Sequence, residues 1–343
     1  MPTLPLVSIG LPVYNAERYL SQALDSLLGQ DYLNVELIVS DNASEDGTEQ
    51  ICRQYALRDS RLRYYRAPIN MGAVWNFNRV FELAGGEYFM WAAFDDLRAP
   101  HYVSACVARI EASPEAALCC TGIVFIDEGG LQIDVPDYRY GFPPTTRSAR
   151  DRLCSLARST QWFDIYGLIR SSVLRQTRGV VPTWGSDVVV LVELCLRGPV
   201  LVVPEPLFSS RVFKSKTQED LAAALTGPGQ QRSVSACWSC MTVEMVRSIW
   251  RWPGGTVRKF MLTVEFLFIF CVLNRPVGAG IRKDLTVNLR RALSEGKWRM
   301  LATLIALGVL IYPLHNRATR AVYRLFRRAL VRPDRAVTTP PLE

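Results

Sequence analysis

Hydrophobic positions in the first hundred residues alternate between short apolar runs and stretches of helical period. Val7–Leu11 reads as an apolar strand and Pro12–Asn15 as a loop, and Glu17–Gln30 is a helix with Tyr19, Leu20, Ala23, Leu24 and Leu27 on one face. Asn15 is the expected N-cap. A second strand, Val35–Ser40, ends in the polar turn Asp41–Thr48, which feeds a helix from Glu49 to Arg58. Leu62–Arg66 is a third strand, Asn70–Gly72 a turn and Ala73–Leu83 a helix. Strands separated by helices of this length imply a parallel sheet covered on both faces.

The stretch from Gly85 to Pro100 carries the most chemistry. A glycine turn leads into an aromatic, apolar strand that ends in Asp95-Asp96 before a proline opens a helix reaching about Ala112. Strand ends are where α/β sheets hold ligands. Side chains alternate along a strand, so the two carboxylates should point in different directions. Helix capping is the plainer alternative for the pair.

Beyond this point the pattern turns antiparallel. Ala117–Ile126 and Leu131–Val135 flank a hairpin turn at Asp127–Gly130, and residues 136–160, rich in proline and arginine, read as an irregular loop or lid. A strand over Asp164–Arg170 precedes Pro182–Asp187. An apolar helix spans Val188–Leu196, and Val200–Pro204 and Leu207–Phe213 are the last strands. After residue 230 the pattern is helical. Phe260–Leu273 is apolar apart from Glu265, and Met300–Leu314 carries no charge. Both are short for a bilayer span and suit a buried helix or an interfacial, re-entrant one. In the tail, Arg317, Arg320, Arg324, Arg327 and Arg328 face away from Leu314, Ala318, Ala321, Val322, Leu325 and Ala329, which makes a basic amphipathic helix.

The 343 residues are 49% hydrophobic, enough for one large domain and an appendage. The domains expected are 1–215 for catalysis, 216–332 as a helical, membrane-associated region, and 333–343 as a disordered tail. A net charge of +8 calls for an anionic partner. The arginines gather in the tail and no nucleic-acid motif appears, so the partner expected is an anionic membrane surface and not nucleic acid. No secretory signal opens the sequence, which places the enzyme portion on the cytoplasmic face of the cell membrane as an expectation. Nine scattered cysteines fit reduced thiols, and Cys237-Trp238-Ser239-Cys240, without a second ligand pair, fits structural thiols before zinc.

Asp41, Asp95-Asp96 and Asp187 stand at corresponding places in the α/β pattern. Together with Val7–Glu17, this order resembles the family 2 glycosyltransferases of the GT-A fold. Their signature is an apolar strand then Pro-x-Tyr-Asn-x-Glu, a strand then an Asp-rich turn, Gly-Glu-Tyr before a D-x-D-type motif, and a late acidic pair before a helix. The match covers about residues 5–215.

The resemblance implies a Rossmann-like mixed sheet flanked by helices and an inverting transfer of sugar from a nucleoside diphosphate, UDP favoured, to a hydroxyl on a glycan or lipid-linked acceptor. It implies nucleotide contacts at Pro12, Tyr14, Asn15, Glu17, Asp41, Asn70 and Asp95. It further implies a divalent cation, Mg2+ or Mn2+, at Asp95 and Asp96, and a general base at Asp187. The chemistry agrees with these roles. A tyrosine offers a flat contact for a base, carboxylates hold a hard cation, and a hydroxyl nucleophile needs a base within reach. The sequence departs from the family at Ala93 in place of the first D-x-D aspartate, at Ser186 before Asp187, and at Phe213 where a histidine is common, with Arg211 or Lys214 as electrostatic substitutes. Those departures motivate the alternative of a non-catalytic scaffold with a degenerate transferase domain. A glycoside hydrolase also uses paired carboxylates, but adjacent residues are poorly placed to face each other across a sugar.

Overall fold

The computed structural model describes residues 4–135, 142, 145–146, 148–213, 238–294 and 296. The strands are β1 Val7–Val13, β2 Val35–Asp41, β3 Leu62–Arg66, β4 Tyr88–Trp91, β5 Leu97–Arg98, β6 Leu118–Ile126, β7 Gln132–Ile133, β8 Thr145–Thr146, β9 Leu168–Arg170 and β10 Val200–Arg211. Helices α1 Glu17–Leu28, α2 Thr48–Arg58, α3 Ala73–Glu82 and α4 Tyr102–Glu111 alternate with the first strands. Helices α5 Ala149–Arg158, α6 Ser171–Leu174 and α7 Ser186–Arg197 follow, then α8 Trp238–Arg251, α9 Thr256–Leu267 and α10 Arg275–Ser294. A 3-10 turn spans Phe163–Tyr166, and a π-helical turn, Phe268–Leu273, continues α9.

One ten-stranded mixed sheet runs in the order β3-β2-β1-β4-β9-β6-β10-β5, with β7 on β6 and β8 on β10. Strands β3, β2, β1 and β4 are mutually parallel; β9 then pairs antiparallel with both β4 and β6. Strand order reverses between β1 and β4, and such a switch point opens a crevice at the carboxyl ends of the strands.

The side-chain alternation of the parallel strands splits the interior in two. Val7, Ile9, Leu11 and Val13 join Leu37, Val39, Tyr88 and Met90 in a core with residues of α1 and α4. The opposite face sends Ile38, Phe89 and Trp91 into a second core with α3, α5 and α7. Gly10 lies on that second face, where a Cβ would stand 2.7 Å from Phe89 and 2.8 Å from Val80, so the strand approaches its neighbours only without a side chain.

The sequence expectations hold for the parallel half and for the β6–β7 hairpin. Four differ. Residues 149–158 of the expected loop form α5, whose N-cap Ser148 accepts from the Asp151 N–H. The two last strands are one, β10, whose register against β6 shifts around Pro206, a residue without a ladder N–H. Asn15 does not cap α1: it has a φ of 48°, and Ala16 holds the cap position. Phe266, Phe268 and Phe270 of the apolar 260–273 stretch are buried in the core shared with α7, so its second half takes the buried-helix alternative, whereas Phe260 is exposed. The helices after residue 238 therefore share a core with the sheet, and the expected boundary near 215 does not separate two cores.

Seven described cysteines are free and buried, whereas Cys240 is disulfide-bonded, against the expectation of reduced thiols throughout. Lys214, Met300–Leu314, the arginine-striped helix and the 333–343 tail lie outside the described residues.

Candidate active site

The carboxyl ends of β1 and β2 are tied together before any ligand arrives. Asn76 of α3 donates its side-chain amide to the carbonyls of Val13 (3.2 Å) and Ser40 (2.9 Å), and the Asn42 N–H donates to Val13 O at 2.9 Å. Pro12 is buried in β1 opposite Ser40, and Tyr14, immediately past the strand, is 41% exposed. Its ring is available as a flat contact.

The polar loop after β2 holds its own shape. Asp41 is fully buried; one carboxylate oxygen accepts from the Ser44 N–H (2.8 Å) and hydroxyl (2.6 Å), the other from the Tyr64 hydroxyl (2.7 Å) and Arg66 Nη1 (2.5 Å). A carboxylate has about four acceptor positions. All of them are filled by protein, so a nucleoside N–H reaches Asp41 only in exchange for one of these donors.

Asn15 and Glu17 also face this loop. Asn15 accepts from the Glu45 N–H at 2.9 Å and Glu17 from the Gly47 N–H at 3.0 Å. Asn70 accepts from the Asn42 amide (2.8 Å) and the Gly72 N–H (2.9 Å). These side chains brace the two loops beside Tyr14.

A second group forms past β4. Asp95 and Asp96 sit in the turn between β4 and β5, and α4 begins only at Tyr102 with His101 as its cap, so neither carboxylate caps that helix. Asp96 is 7% exposed and accepts the Arg211 backbone N–H at 2.9 Å. Burial, and then the negative charge of Asp95, push its pKa up to about 6, against the opposing pull of Arg98 and the Arg211 N–H. The inward carboxylate thus anchors the turn through one of its oxygens. Asp95 is partly exposed beside it.

Arg211 itself is spent on scaffolding. Its Nε donates to Asp95 O (2.9 Å), Nη1 to Asp127 O (3.0 Å) and Glu128 O (3.2 Å), and Nη2 to Gln22 Oε1 (3.1 Å), with the guanidinium 4.4 Å from the centre of the Tyr19 ring. Phe213 packs edge-on against Tyr19 at 5.7 Å.

Asp187 enters from the far side of the crevice. Gly185, at a φ of +65°, turns the chain into α7 and leaves Asp187 in its first turn. Burial raises the Asp187 pKa, opposed by N–H donation from Val188 and from its own backbone. A pocket of about 370 Å3 opens in front of it, walled by Phe77, Trp91, Trp162, Tyr166 and Trp184. Its one carboxylate is Asp187.

The Tyr166 phenol is raised well above its ordinary pKa, first by burial and then by the charges of Asp96, Asp95 and Asp187 in turn. The structure puts Asp187 and Tyr166 on one pocket and Asp95 and Asp96 in the β4–β5 turn; Pro12, Tyr14, Asn15, Glu17, Asp41 and Asn70 lie at or just past the ends of β1, β2 and β3. The two groups meet where the Ala92 N–H donates to Gly10 O at 2.9 Å.

Sequence reasoning passed over Tyr166, Trp162, Asn76 and Arg98. The last is 5% exposed with its guanidinium 3.8 Å from the centre of the Phe208 ring, a buried cation beneath the Asp96 turn. A tryptophan three residues before Asp187 was the one local signal for the pocket.

Among the described residues no group of three or more His, Cys, Asp or Glu side chains is placed to hold a metal ion. A hard divalent cation that keeps water and phosphate oxygens in its shell needs only one or two carboxylates. Asp95, half-buried in the β4–β5 turn beside Asp96, is such a carboxylate.

The family model for glycosyl transferase family 2 matches residues 8–173. An uncharacterized glycosyltransferase of Rickettsia typhi is 32% identical over 77% of this chain and 80% of its own length. The putative glycosyltransferase EpsE of Bacillus subtilis is 35% identical over 37% of this chain, and the match spans 46% of that relative. The crystal structure of S. aureus TarS 1-349 in complex with UDP-GlcNAc superposes with a TM-score of 0.63 at 17% identity, over 94% of this chain and 92% of that one, and shares the fold. The chain belongs to the family 2 glycosyltransferases and has the GT-A fold. It is a glycosyltransferase.

Proposed function

We propose that this glycosyltransferase moves a sugar from a UDP-sugar to a hydroxyl of a glycan or lipid-linked acceptor, with inversion, in the assembly of a cell-envelope polysaccharide or glycolipid. The observation that supports it is Asp187 lining an aromatic pocket with Trp162, Tyr166 and Trp184 in a chain of the family 2 glycosyltransferases. The fold shared with a protein solved with UDP-GlcNAc supports the uridine nucleotide.

In this account Tyr14 and Pro12 lie under the base, and the loops braced by Asn15, Glu17, Asp41 and Asn70 frame the nucleoside. Asp95 holds the cation, Mg2+ or Mn2+, which when bound neutralises charge on the departing diphosphate. Asp187 takes the acceptor proton. An alcohol is a poor nucleophile at neutral pH, and a carboxylate with a raised pKa is a better base for it than an ordinary aspartate. Trp184 and Trp162 offer flat apolar faces to the sugar, and their pocket excludes the water that would compete as acceptor.

Nucleotide release from a panel of UDP-, GDP- and dTDP-sugars, with Mg2+, Mn2+ or chelator, tests the proposal. A UDP-sugar should be turned over, with a loss of about tenfold or more on chelation. A protein that binds UDP but releases it from no donor would contradict it and restore the scaffold alternative.

A further inference from the structure

The turn between α8 and α9 is dressed unlike the rest of the surface. Trp250 is 43% exposed, Val257 77% and Phe260 54%, and Trp252 lies between them, partly exposed. Met261 and Val264 continue the stripe at helical spacing from Val257, on the face of α9 opposite the buried Leu262, Phe266 and Leu267. Helix α9 is thus apolar on two sides, and the described residues cover only one of them.

Charge says what covers the other. Arg251, Arg258 and Lys259 stand in this stretch, and no Asp or Glu lies between Glu244 and Glu265. The Arg258 guanidinium rests 4.9 Å from the centre of the Trp252 ring, and Lys259 Nζ donates to Trp250 O at 3.0 Å, so the cations are held among the aromatics. Two occupants from the same chain are disfavoured. The 317–328 segment is itself arginine-rich, and a second copy would set basic patch against basic patch. Exposed Trp and Phe with flanking Lys and Arg match the chemistry of an anionic bilayer interface, where indoles sit at the headgroups and cations meet phosphates.

We infer that the α8–α9 turn, residues 250–261 with Val264, is a docking surface for an anionic lipid bilayer. Trp250, Val257 and Phe260 enter the headgroup boundary, and Arg251, Arg258 and Lys259 meet its phosphates. No helix among the described residues is long and apolar enough to cross a membrane, and this surface needs none. The inference shares with the proposed function only the membrane-side acceptor. Turnover of a nucleotide-sugar in solution does not depend on it, so the two can fail separately.

The test is flotation of the full-length protein with vesicles of phosphatidylcholine alone and with added phosphatidylglycerol, at low and high salt. The wild type should float with the anionic vesicles only and be released by salt. Trp250→Ala/Val257→Ser/Phe260→Ser and, separately, Arg258→Glu/Lys259→Glu should each lower vesicle affinity by about tenfold or more while keeping wild-type circular dichroism and nucleotide-sugar turnover. Brominated lipids should quench wild-type tryptophan emission more than that of Trp250→Ala. Wild-type affinity in both variants would assign binding to the tail and overturn the inference, as would failure of the wild type to float or equal flotation with neutral vesicles.

Discussion

Arg211 meets the Asp96 carboxylate through its backbone N–H at 2.9 Å, while its side chain holds the Asp95 carbonyl, the Asp127–Glu128 turn and Gln22. One residue at the end of β10 thus fixes the carboxylate turn from behind, and the precision of Asp95 depends on a side chain that touches no substrate.

Arg211→Met keeps the apolar stem and removes the donor from the Asp95 and Glu128 carbonyls and Gln22 Oε1, while Asp127 O keeps the Gly130 N–H. Stability should fall by about 2–4 kcal/mol in urea unfolding, since each buried acceptor left unpaired costs about 1–3 kcal/mol less whatever water recovers. At a temperature where the variant is folded, kcat should fall with little change in UDP affinity. A loss of UDP binding equal to the loss of kcat would place Arg211 at the nucleotide instead.

Asp96 binds its proton more tightly folded, at about 6, than an unfolded aspartate does at about 3.9. The folded state then holds more protons than the unfolded one across that window, so this group's share of stability is full below about pH 4 and lost as pH rises through about 6. Asp96→Asn should flatten that part of the stability–pH curve and gain up to about 2–3 kcal/mol at pH 8, at about 1.4 kcal/mol per pKa unit. Asp164, raised by burial to about 6, keeps its own share of the slope in the variant. Chemical unfolding from pH 4 to 8 reads both.

The parallel half of the sheet was legible because apolar runs such as Val7–Leu11 and Val35–Ser40 are separated by amphipathic helices; Asp95 and Asp96 lie in a turn and not in the strand expected there, so alternation could not say which is buried. That depends on Arg211, which lies far along the chain and reaches the turn only through β10. Helix α5 was hidden by the prolines before it and by arginines such as Arg152, whose guanidinium is buried against Cys195 O at 2.7 Å. Phe260–Leu273 left two alternatives open, and packing in the core shared with α7 buries its second half.

Ala43 holds a φ of 62° in the loop after β2, a conformation that costs an L-residue about 1–2 kcal/mol. Ala43→Gly should stabilise the protein by about 0.5–1 kcal/mol once the added freedom of the unfolded chain is subtracted. Thermal unfolding measures it. A lower melting temperature would show that the Ala43 methyl contributes packing that outweighs the strain.

Trp184→Ala opens one wall of the pocket in front of Asp187. The acceptor KM should rise by about tenfold, near the 1–2 kcal/mol of one aromatic contact, with UDP affinity unchanged. Initial rates at varied acceptor, once a donor is identified, separate this from a general loss of fold.

The central claim is that Asp187 removes the acceptor proton in the pocket it lines with Tyr166 and Trp184. With the donor identified, kcat of the wild type and of Asp187→Asn is compared across pH at saturating substrates, alongside UDP affinity by calorimetry. The account predicts a drop of about 100-fold or more in kcat with UDP affinity unchanged. It also predicts a wild-type acid limb, with kcat falling as pH drops through a pKa above the ordinary aspartate value, that disappears in the variant. An Asp187→Asn enzyme within a few-fold of wild-type kcat, or one that keeps the same acid limb, would contradict it.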